Sequence, residues 1–264
     1  MPVVTFLSDY GLSDDFVGVC HGVIARIAPQ ARLIDITHGI PRQDVRTGAV
    51  VLRRALEFMP AGVHVAVVDP GVGGERRAVA LRCEGGEILV GPDNGLLAPA
   101  AERLGGVTDA LDIGRSPLRL EPVARTFHGR DIFAPVAARL ATGSPWSEAG
   151  DTVDPGMLVT LDLPRPRVAQ GAVVAHVLTV DGYGNVALDA VPADLDGSGL
   201  TPADPLSVNG RSARYARAFD DVDEGELVLY EDAFGALCVA VNRGSALATL
   251  GLHMDDEVVL APMP

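Results

Sequence analysis

The chain has 264 residues, of which 48% are hydrophobic and 21% charged, and its formal net charge is −14. This composition is typical of a folded globular protein and excludes a disordered chain. The acidic balance argues against a nucleic-acid partner, because a phosphate backbone is bound by a basic face. All 21 basic residues are arginines, so there is no lysine for Schiff-base chemistry or for a phosphate-binding P-loop.

The longest apolar runs, at 63–68 and 236–241, have the length of strands and are too short to span a bilayer. No basic stretch precedes an apolar segment at the N-terminus, so we expect no signal peptide, no membrane association and a cytoplasmic location. The cysteines are scattered inside apolar runs, at Cys20, Cys83 and Cys238. This pattern predicts buried thiols rather than a disulfide framework or a zinc site.

The first part of the chain alternates strand and helix patterns, as an α/β domain does. One predicted strand, 63–68, is apolar except for His64, which is typical of a parallel strand buried on both faces. The predicted elements, in chain order, are strand 3–7, helix 14–28, strand 33–37, helix 44–58, the apolar strand 63–68, a hairpin of 78–83 and 88–90, and helices 96–104 and 132–141.

Beyond residue 170 the pattern changes to short β runs separated by turn signals, which predicts a small all-β, barrel-like domain. The runs are 172–180, 185–188, 206–208, 227–230, 236–241 and 257–260, with Asn209-Gly210 as a hairpin turn. We therefore predict an N-terminal α/β domain with a mostly parallel sheet over residues 1–165 and a C-terminal β-barrel domain over residues 166–264.

Several polar residues follow predicted strands, where open α/β sheets bind their ligands. Asp9 follows the first strand and is suited either to accepting hydrogen bonds from a ribose diol or to capping the next helix. Asp69 follows the apolar strand in a glycine-rich loop with two arginines, which fits a ligand-binding loop or a plain turn with an ion pair. His128 lies in a polar cluster before a helix, where structural and catalytic roles are both open.

Taken together, in this order and spacing, the polar segments resemble the S-adenosyl-L-methionine (SAM) hydroxide adenosyltransferase family, the hydrolytic relatives of fluorinases and chlorinases. The segments are SDYG at 8–11, ITHGIP at 36–41, VDPGVG at 68–73, GPDNGLL at 91–97, TFHGRD at 126–131, DGYGN at 181–185 and VNRG at 241–244. The resemblance implies an α/β domain followed by a β-barrel, and a homotrimer. Each SAM site would lie between the N-terminal domain of one subunit and the C-terminal domain of the next.

The resemblance also implies roles for single residues. A water-activating set falls on Asp69, Arg76 and His128, with Arg77 as the second choice for Arg76. The substrate-binding positions are Asp9 at the ribose diol, Phe127 near the reacting ribose, Asp181 and Asn185 at the amino-acid end of SAM with Tyr183 beside it, and Phe219, Asn242 and the Arg243 backbone on the adenine side. Gln43 departs from the fluorinase pattern, which has a tryptophan against the sugar.

The implied reaction is hydrolysis of SAM to adenosine and L-methionine by in-line attack of water on C5′, with no metal or other cofactor. Halogenating relatives have a tyrosine at the place of Asp69, and a carboxylate there would repel a halide. Either Asp69 or His128 could be the formal base, because a coupled set titrates as a unit.

Three alternatives stay open at this point. The first is a halogenase of the same fold that uses chloride at C5′. The second is a SAM- or adenosine-binding protein without turnover. The third is a metal-dependent hydrolase that uses Asp9, Asp69, His128 and Asp131, which is disfavoured because the histidines lack HxxxH or HxH spacing.

Overall fold

The structure is a computed structural model that describes residues 1–201 and 205–263. The chain divides into two units, Met1–Leu161 and Asp162–Pro264, and each has a hydrophobic core of its own. Within the described residues, no helix has the length and apolar character needed to cross a membrane.

The first unit is built on a seven-stranded sheet with the order β2-β1-β3-β5-β4-β6-β7. Its strands are β1 (Val3–Ser8), β2 (Arg32–Thr37), β3 (Val63–Val67), β4 (Ala78–Cys83), β5 (Ile88–Pro92), β6 (Val107–Asp112) and β7 (Asp151–Val153). Its helices are α1 (Phe16–Ile27), α2 (Val45–Ala55), α3 (Ala98–Arg103) and α4 (Ala134–Ala141).

The central strand β3 explains why both faces of this sheet are covered. All five of its residues are buried, and alternate side chains point to opposite faces of a strand. Val63, Val65 and Val67 join the core cluster that contains residues of α1 and α4. Ala66 joins the cluster that contains residues of α2 and α3.

The register of the sheet brings two loop starts to the same edge. Strands β1 and β3 are parallel neighbours with Ser8 opposite Val67. Asp9 directly follows Ser8, and Asp69 comes two residues after Val67. The sheet therefore presents both carboxylates at its carboxyl edge, where ligands of α/β sheets bind.

The predicted α/β fold class is confirmed, and the sheet has a parallel and an antiparallel part. The pairings are parallel along β2-β1-β3-β5. They are antiparallel from β5 through β4 and β6 to β7, because a tight turn joins β4 to β5 as the predicted hairpin. Strands β6 and β7 were not predicted, since their exposed polar residues hide the apolar pattern.

The helix predicted over 132–141 begins earlier and irregularly. A π-helical turn covers Gly129–Phe133 and leads into α4. The Ala134 N–H donates to the Gly129 carbonyl, one residue beyond the usual α-helical partner. Pro135 follows and has no N–H to donate, so the regular hydrogen-bond pattern is interrupted at this point.

The second unit contains a closed barrel, as predicted. Its elements are β8 (Arg167–Ala169), β9 (Ala172–Val180), β10 (Val186–Leu188), α5 (Pro192–Ser198), β11 (Leu206–Val208), β12 (Arg211–Tyr215), β13 (Leu227–Glu231), β14 (Leu237–Val241), α6 (Ala246–Leu250) and β15 (Glu257–Pro262). Seven strands pair in the order β10-β14-β13-β12-β11-β15-β9, and the pairing of β9 with β10 closes the barrel. Strand β8 pairs antiparallel with β9 as an eighth strand of the sheet.

The barrel strand β15 offers a matched pair of valines. Val258 is fully buried, whereas its neighbour Val259 is 37% exposed. We expect Val258→Ala to lower the free energy of unfolding by about 2 kcal/mol, because two buried methyl groups and their contacts are lost. Val259→Ala should cost less than about 1 kcal/mol. Urea unfolding of both variants tests this, and equal losses would contradict the observed barrel register.

Candidate active site

The Asp69 carboxylate lies at the start of the loop after β3 and is held by one arginine. Arg76 Nε donates to Asp69 Oδ1 at 2.9 Å, and Arg76 Nη2 donates to Asp69 Oδ2. The two side chains are only 6% and 11% exposed. This two-bond contact is the strong geometry for an arginine and a carboxylate, so the carboxylate is fixed in direction.

The loop that folds Arg76 back onto Asp69 depends on a glycine. Gly73 has φ +74, and a Cβ atom there would lie 2.3 Å from the Arg125 carbonyl oxygen. A side chain is therefore excluded both by conformation and by space.

His128 completes a chain of contacts with these two residues. Its Nδ1 lies 2.8 Å from Arg76 Nη2. Arginine has no acceptor, so Nδ1 must accept, and a neutral imidazole then carries its proton on Nε2. Burial lowers the pKa of His128, and the positive charge of Arg76 lowers it further, against the opposing effects of Asp69 and Asp131. The imidazole is therefore kept neutral as a donor at Nε2.

Arg77, the second choice from the sequence, does not take part. Its Nε donates to Asp93 Oδ2 at 2.8 Å, and its Nη2 donates to the Met157 carbonyl. Neighbouring side chains on an extended segment point in opposite directions, which explains why one of the two arginines contacts Asp69 and the other Asp93.

Asp9 lies at the same edge of the sheet. Its Oδ2 accepts a hydrogen bond from the Gln43 N–H at 2.8 Å, and Gln43 has the left-handed φ of +64. Gln43, which departs from the fluorinase pattern, thus contacts Asp9 through its backbone. The side chain of Gln43 is not needed for that contact.

The aromatic rings of Tyr10, Phe16 and Phe127 pack together in the first unit, and Tyr10 directly follows Asp9. Phe127 packs edge-on against Phe16 at 5.1 Å and against Tyr10 at 6.0 Å between ring centroids. Burial raises the pKa of Tyr10 well above its ordinary value, and the negative charges of Asp9 and Asp69 are among the further causes. Tyr10 is therefore a neutral hydroxyl close to both carboxylates.

The sequence analysis assigned no role to Tyr10. The Tyr10 side chain explains why residue 129 is a glycine. A Cβ atom on Gly129 would lie 2.2 Å from the Tyr10 hydroxyl oxygen. The glycine in the TFHGRD segment thus makes room for this ring.

In the second unit, five predicted substrate-binding residues line one open cavity: Tyr183, Asn185, Phe219, Asn242 and Arg243. The sixth, Asp181, shapes the turn beside it. Asp181 Oδ1 accepts from the N–H groups of Tyr183 and Asn185, and its Oδ2 accepts from Asn185 Nδ2 at 2.8 Å. The turn thus fixes the Asn185 amide, while the Tyr183 ring is 83% exposed.

The other wall of this cavity is the turn after β14. Asn242 is buried, and its Nδ2 donates to the Val222 carbonyl at 2.8 Å. Arg243 has φ +56, which turns the backbone at that point. Phe219 packs edge-on against Tyr230 with ring centroids 5.1 Å apart. An aromatic ring and oriented polar groups suit a ligand with a flat base and a polar end.

The α/β unit has a carboxylate–guanidinium–imidazole cluster at the carboxyl edge of its sheet, and the barrel unit has a cavity with an aromatic wall. Both features are typical of proteins that bind small molecules. Residues 4–150 match the SAM hydroxide adenosyltransferase N-terminal domain, and residues 175–259 match the C-terminal domain of that family. The chain belongs to the SAM hydroxide adenosyltransferase family.

Several relatives match over three quarters of the chain or more. The (R)-S-adenosyl-L-methionine hydrolase of Salinispora arenicola is 49% identical over 97% of both chains. The protein of that name from Thermus thermophilus is 40% identical over 96% of both. A fluorinase from an Actinoplanes species is 30% identical over 75% of both. An uncharacterized conserved protein from Thermotoga maritima has a crystal structure with TM-score 0.90 and 38% identity, covering 98% of this chain and 99% of that one.

The contact between Arg76 and His128 predicts a measurable pKa change. Arg76→Gln should raise the pKa of His128, because it removes a positive charge that disfavours the imidazolium. A histidine NMR titration tests this, with the His128 signal assigned by its loss in His128→Gln. Arg125→Gln is the control, because Arg125 is exposed and its guanidinium donates to the Gly73 carbonyl rather than to His128. An unchanged pKa in Arg76→Gln would show that the two side chains are not in contact.

Proposed function

We propose that this chain hydrolyses SAM to adenosine and L-methionine, with water attacking C5′ of the ribose opposite the leaving sulfur. The observation that carries the proposal is the buried Asp69 carboxylate held by Arg76, which also contacts His128. The curated relatives with the name (R)-S-adenosyl-L-methionine hydrolase, 40% and 49% identical to this chain, support the same reaction.

The nucleophile is the difficult part of this reaction, because free water has a pKa of about 15.7. In the proposed step, the water oxygen forms a bond to C5′ while the C5′–S bond breaks and its electron pair stays on sulfur. Methionine therefore leaves as a neutral thioether and needs no proton. The water proton passes to a carboxylate oxygen of Asp69. Since no group needs a Lewis acid or a redox partner, we propose that the reaction uses no cofactor.

The hydrogen-bond pattern favours Asp69 over His128 as the base. His128 Nδ1 is occupied by Arg76 Nη2, which leaves Nε2–H as a donor that can orient the water. Each Asp69 oxygen accepts one bond from Arg76 and keeps a second lone pair for the water. General-base assistance of this kind contributes typically about 10²–10⁴-fold to a rate.

The proposed substrate contacts fall into two groups of residues, one at the edge of the sheet and one in the barrel cavity. Asp9 would accept hydrogen bonds from the ribose diol, and Phe127 would pack near the ribose. The barrel cavity would take the rest of SAM, with Asp181, Tyr183 and Asn185 at the amino-acid end and Phe219, Asn242 and Arg243 at the adenine. The negative charges of Asp9 and Asp69 would also attract the positively charged sulfonium.

Substitution of the water-activating residues tests the mechanism. Asp69→Asn and His128→Ala should each lower adenosine release by at least about tenfold, because the water loses its acceptor or its orienting donor. Chromatography of adenosine and methionine measures this. Asp109→Asn and His253→Ala are matched controls, since Asp109 is a half-exposed ion-pair partner and His253 an exposed imidazole. Full activity in both test variants, with unchanged thermal stability, would refute the proposed set.

Halide supply separates the proposed hydrolase from a halogenase. With SAM and excess chloride, adenosine should remain the product, because a carboxylate at position 69 would repel a halide. A 5′-chloro nucleoside would contradict the assignment. Repeated turnovers are also required, since one equivalent of bound adenosine without further release would identify a binding protein.

We further propose a homotrimer in which the N-terminal unit of one subunit and the C-terminal unit of the next complete each site. Large apolar side chains near both groups of site residues support this: Tyr183 is 83% exposed, Phe219 44%, Leu12 79% and Phe16 41%. Contiguous exposed apolar patches are typical of interaction surfaces. The buried thiols of Cys20, Cys83 and Cys238 fit the reducing cytoplasm, which we propose as the location.

Subunit mixing tests the shared site. One variant carries Asp69→Asn, and the other carries Tyr183→Ala with Phe219→Ala. Co-expressed subunits should recover about a quarter of the wild-type activity, because in random cyclic assembly each half of a site is intact half of the time. If each site lies within one chain, the mixture will show no more activity than the two parents.

A further inference from the structure

Two histidines and an aspartate meet in the first unit outside the proposed water-activating set. His21 lies in α1, Asp35 in β2 and His38 directly after β2. His21 Nε2 is 2.9 Å and His38 Nε2 is 3.1 Å from the same atom, Asp35 Oδ1. The three ligand atoms lie within 4.8 Å of one another, and no other such group of three occurs among the residues that the structure describes.

The buried imidazole of His38 indicates that this cluster is more than a hydrogen-bonded pair. The residue is only 5% exposed. Its Nε2 atom is fully buried and, among the described residues, has no hydrogen-bond partner of acceptable geometry. Asp35 Oδ1 is close to Nε2 but in the wrong direction for a hydrogen bond. An unsatisfied buried polar atom is costly, and this one lies 3.1 Å from the Asp35 carboxylate.

The other nitrogen of His38 is held in the way that metal-binding histidines are held. Its Nδ1 lies 2.7 Å from Ser8 Oγ. Metal-ligating histidines usually use their second nitrogen to bond a neighbouring group, which fixes the orientation of the ring and the nitrogen that faces the metal. Ser8 therefore leaves Nε2 as the coordinating atom.

We propose that His21 Nε2, Asp35 Oδ1 and His38 Nε2 form a binding site for a divalent transition metal such as Zn²⁺. Zinc binds imidazole nitrogen and carboxylate oxygen at about 2.0–2.2 Å, which puts the ligands of a tetrahedral site about 3.3–3.6 Å apart. The distances of 2.9 Å and 3.1 Å to Asp35 Oδ1 are a few tenths of an ångström shorter, so small side-chain shifts would admit the metal. Two imidazoles suit Zn²⁺ or Co²⁺, whereas Mg²⁺ and Ca²⁺ prefer oxygen ligands.

A metal bound at this position would link separate elements of the first unit. It would connect α1 to the end of β2, and His38 is tied to the loop after β1. The Gly11 N–H donates to the His38 carbonyl at 2.8 Å, and Ser8 precedes Asp9. A metal here would therefore stabilise the segment that carries Asp9 and Tyr10 without touching the reacting atoms of the proposed hydrolysis.

Titration of tag-free protein with Zn²⁺ alone tests the site. We expect one equivalent to bind with a Kd on the order of micromolar and to raise the melting temperature. His21→Ala and Asp35→Asn should each weaken binding at least about tenfold, since each removes one of only three protein ligands. Neither variant changes a proposed catalytic residue, so the result is independent of the hydrolysis.

His253→Ala is the matched control. His253 is an exposed histidine with a single aspartate, Asp256, at 3.4 Å, and its loss should leave the Zn²⁺ affinity unchanged. Co²⁺ in place of Zn²⁺ should give a visible absorption band that is lost in His21→Ala. The proposal is overturned if the protein binds no Zn²⁺ below about 1 mM, or if His21→Ala and Asp35→Asn both bind as tightly as the unmodified chain.

Discussion

The contact between Asp69 and Arg76 is the interaction on which the N-terminal group of site residues depends. Both side chains are nearly buried, and removal of one partner of such a pair costs on the order of 3–5 kcal/mol, because the other charge is left uncompensated. The same guanidinium fixes the tautomer of His128 through Nδ1. One arginine therefore fixes the direction of the carboxylate, favours the neutral imidazole and connects the loop after β3 to the start of the π-helical turn.

The sheet and the barrel position their site residues in different ways. Parallel pairing of β1 and β3 places Asp9 and Asp69 at one edge, so backbone register positions both the proposed ribose contact and the proposed water-activating group. In the barrel unit, two turns built on Asp181 and Asn242 present polar groups and aromatic rings to an open cavity. A rigid frame with ligand contacts on its loops is the common arrangement in enzymes.

Much of the fold could be predicted from periodicity, and the failures have physical reasons. The pattern of β9 gave its bounds without error, because buried and partly buried residues alternate along the whole strand. The strand β12 has a largely exposed, polar sequence and was predicted only through its hairpin turn. The choice between Arg76 and Arg77 needed the structure, because the sequence does not show which of two adjacent arginine side chains points towards Asp69. The His21, Asp35 and His38 cluster was missed because its members come from separate elements, and their spacing matches no metal motif.

The central claim is that Asp69 activates a water molecule to displace the sulfonium from C5′. The most direct measurement is incubation with SAM in oxygen-18 water, followed by mass spectrometry of the products. The account predicts one labelled oxygen in the 5′-hydroxyl of adenosine and none in methionine. Adenosine that carries no label, or label that enters methionine instead, would contradict it.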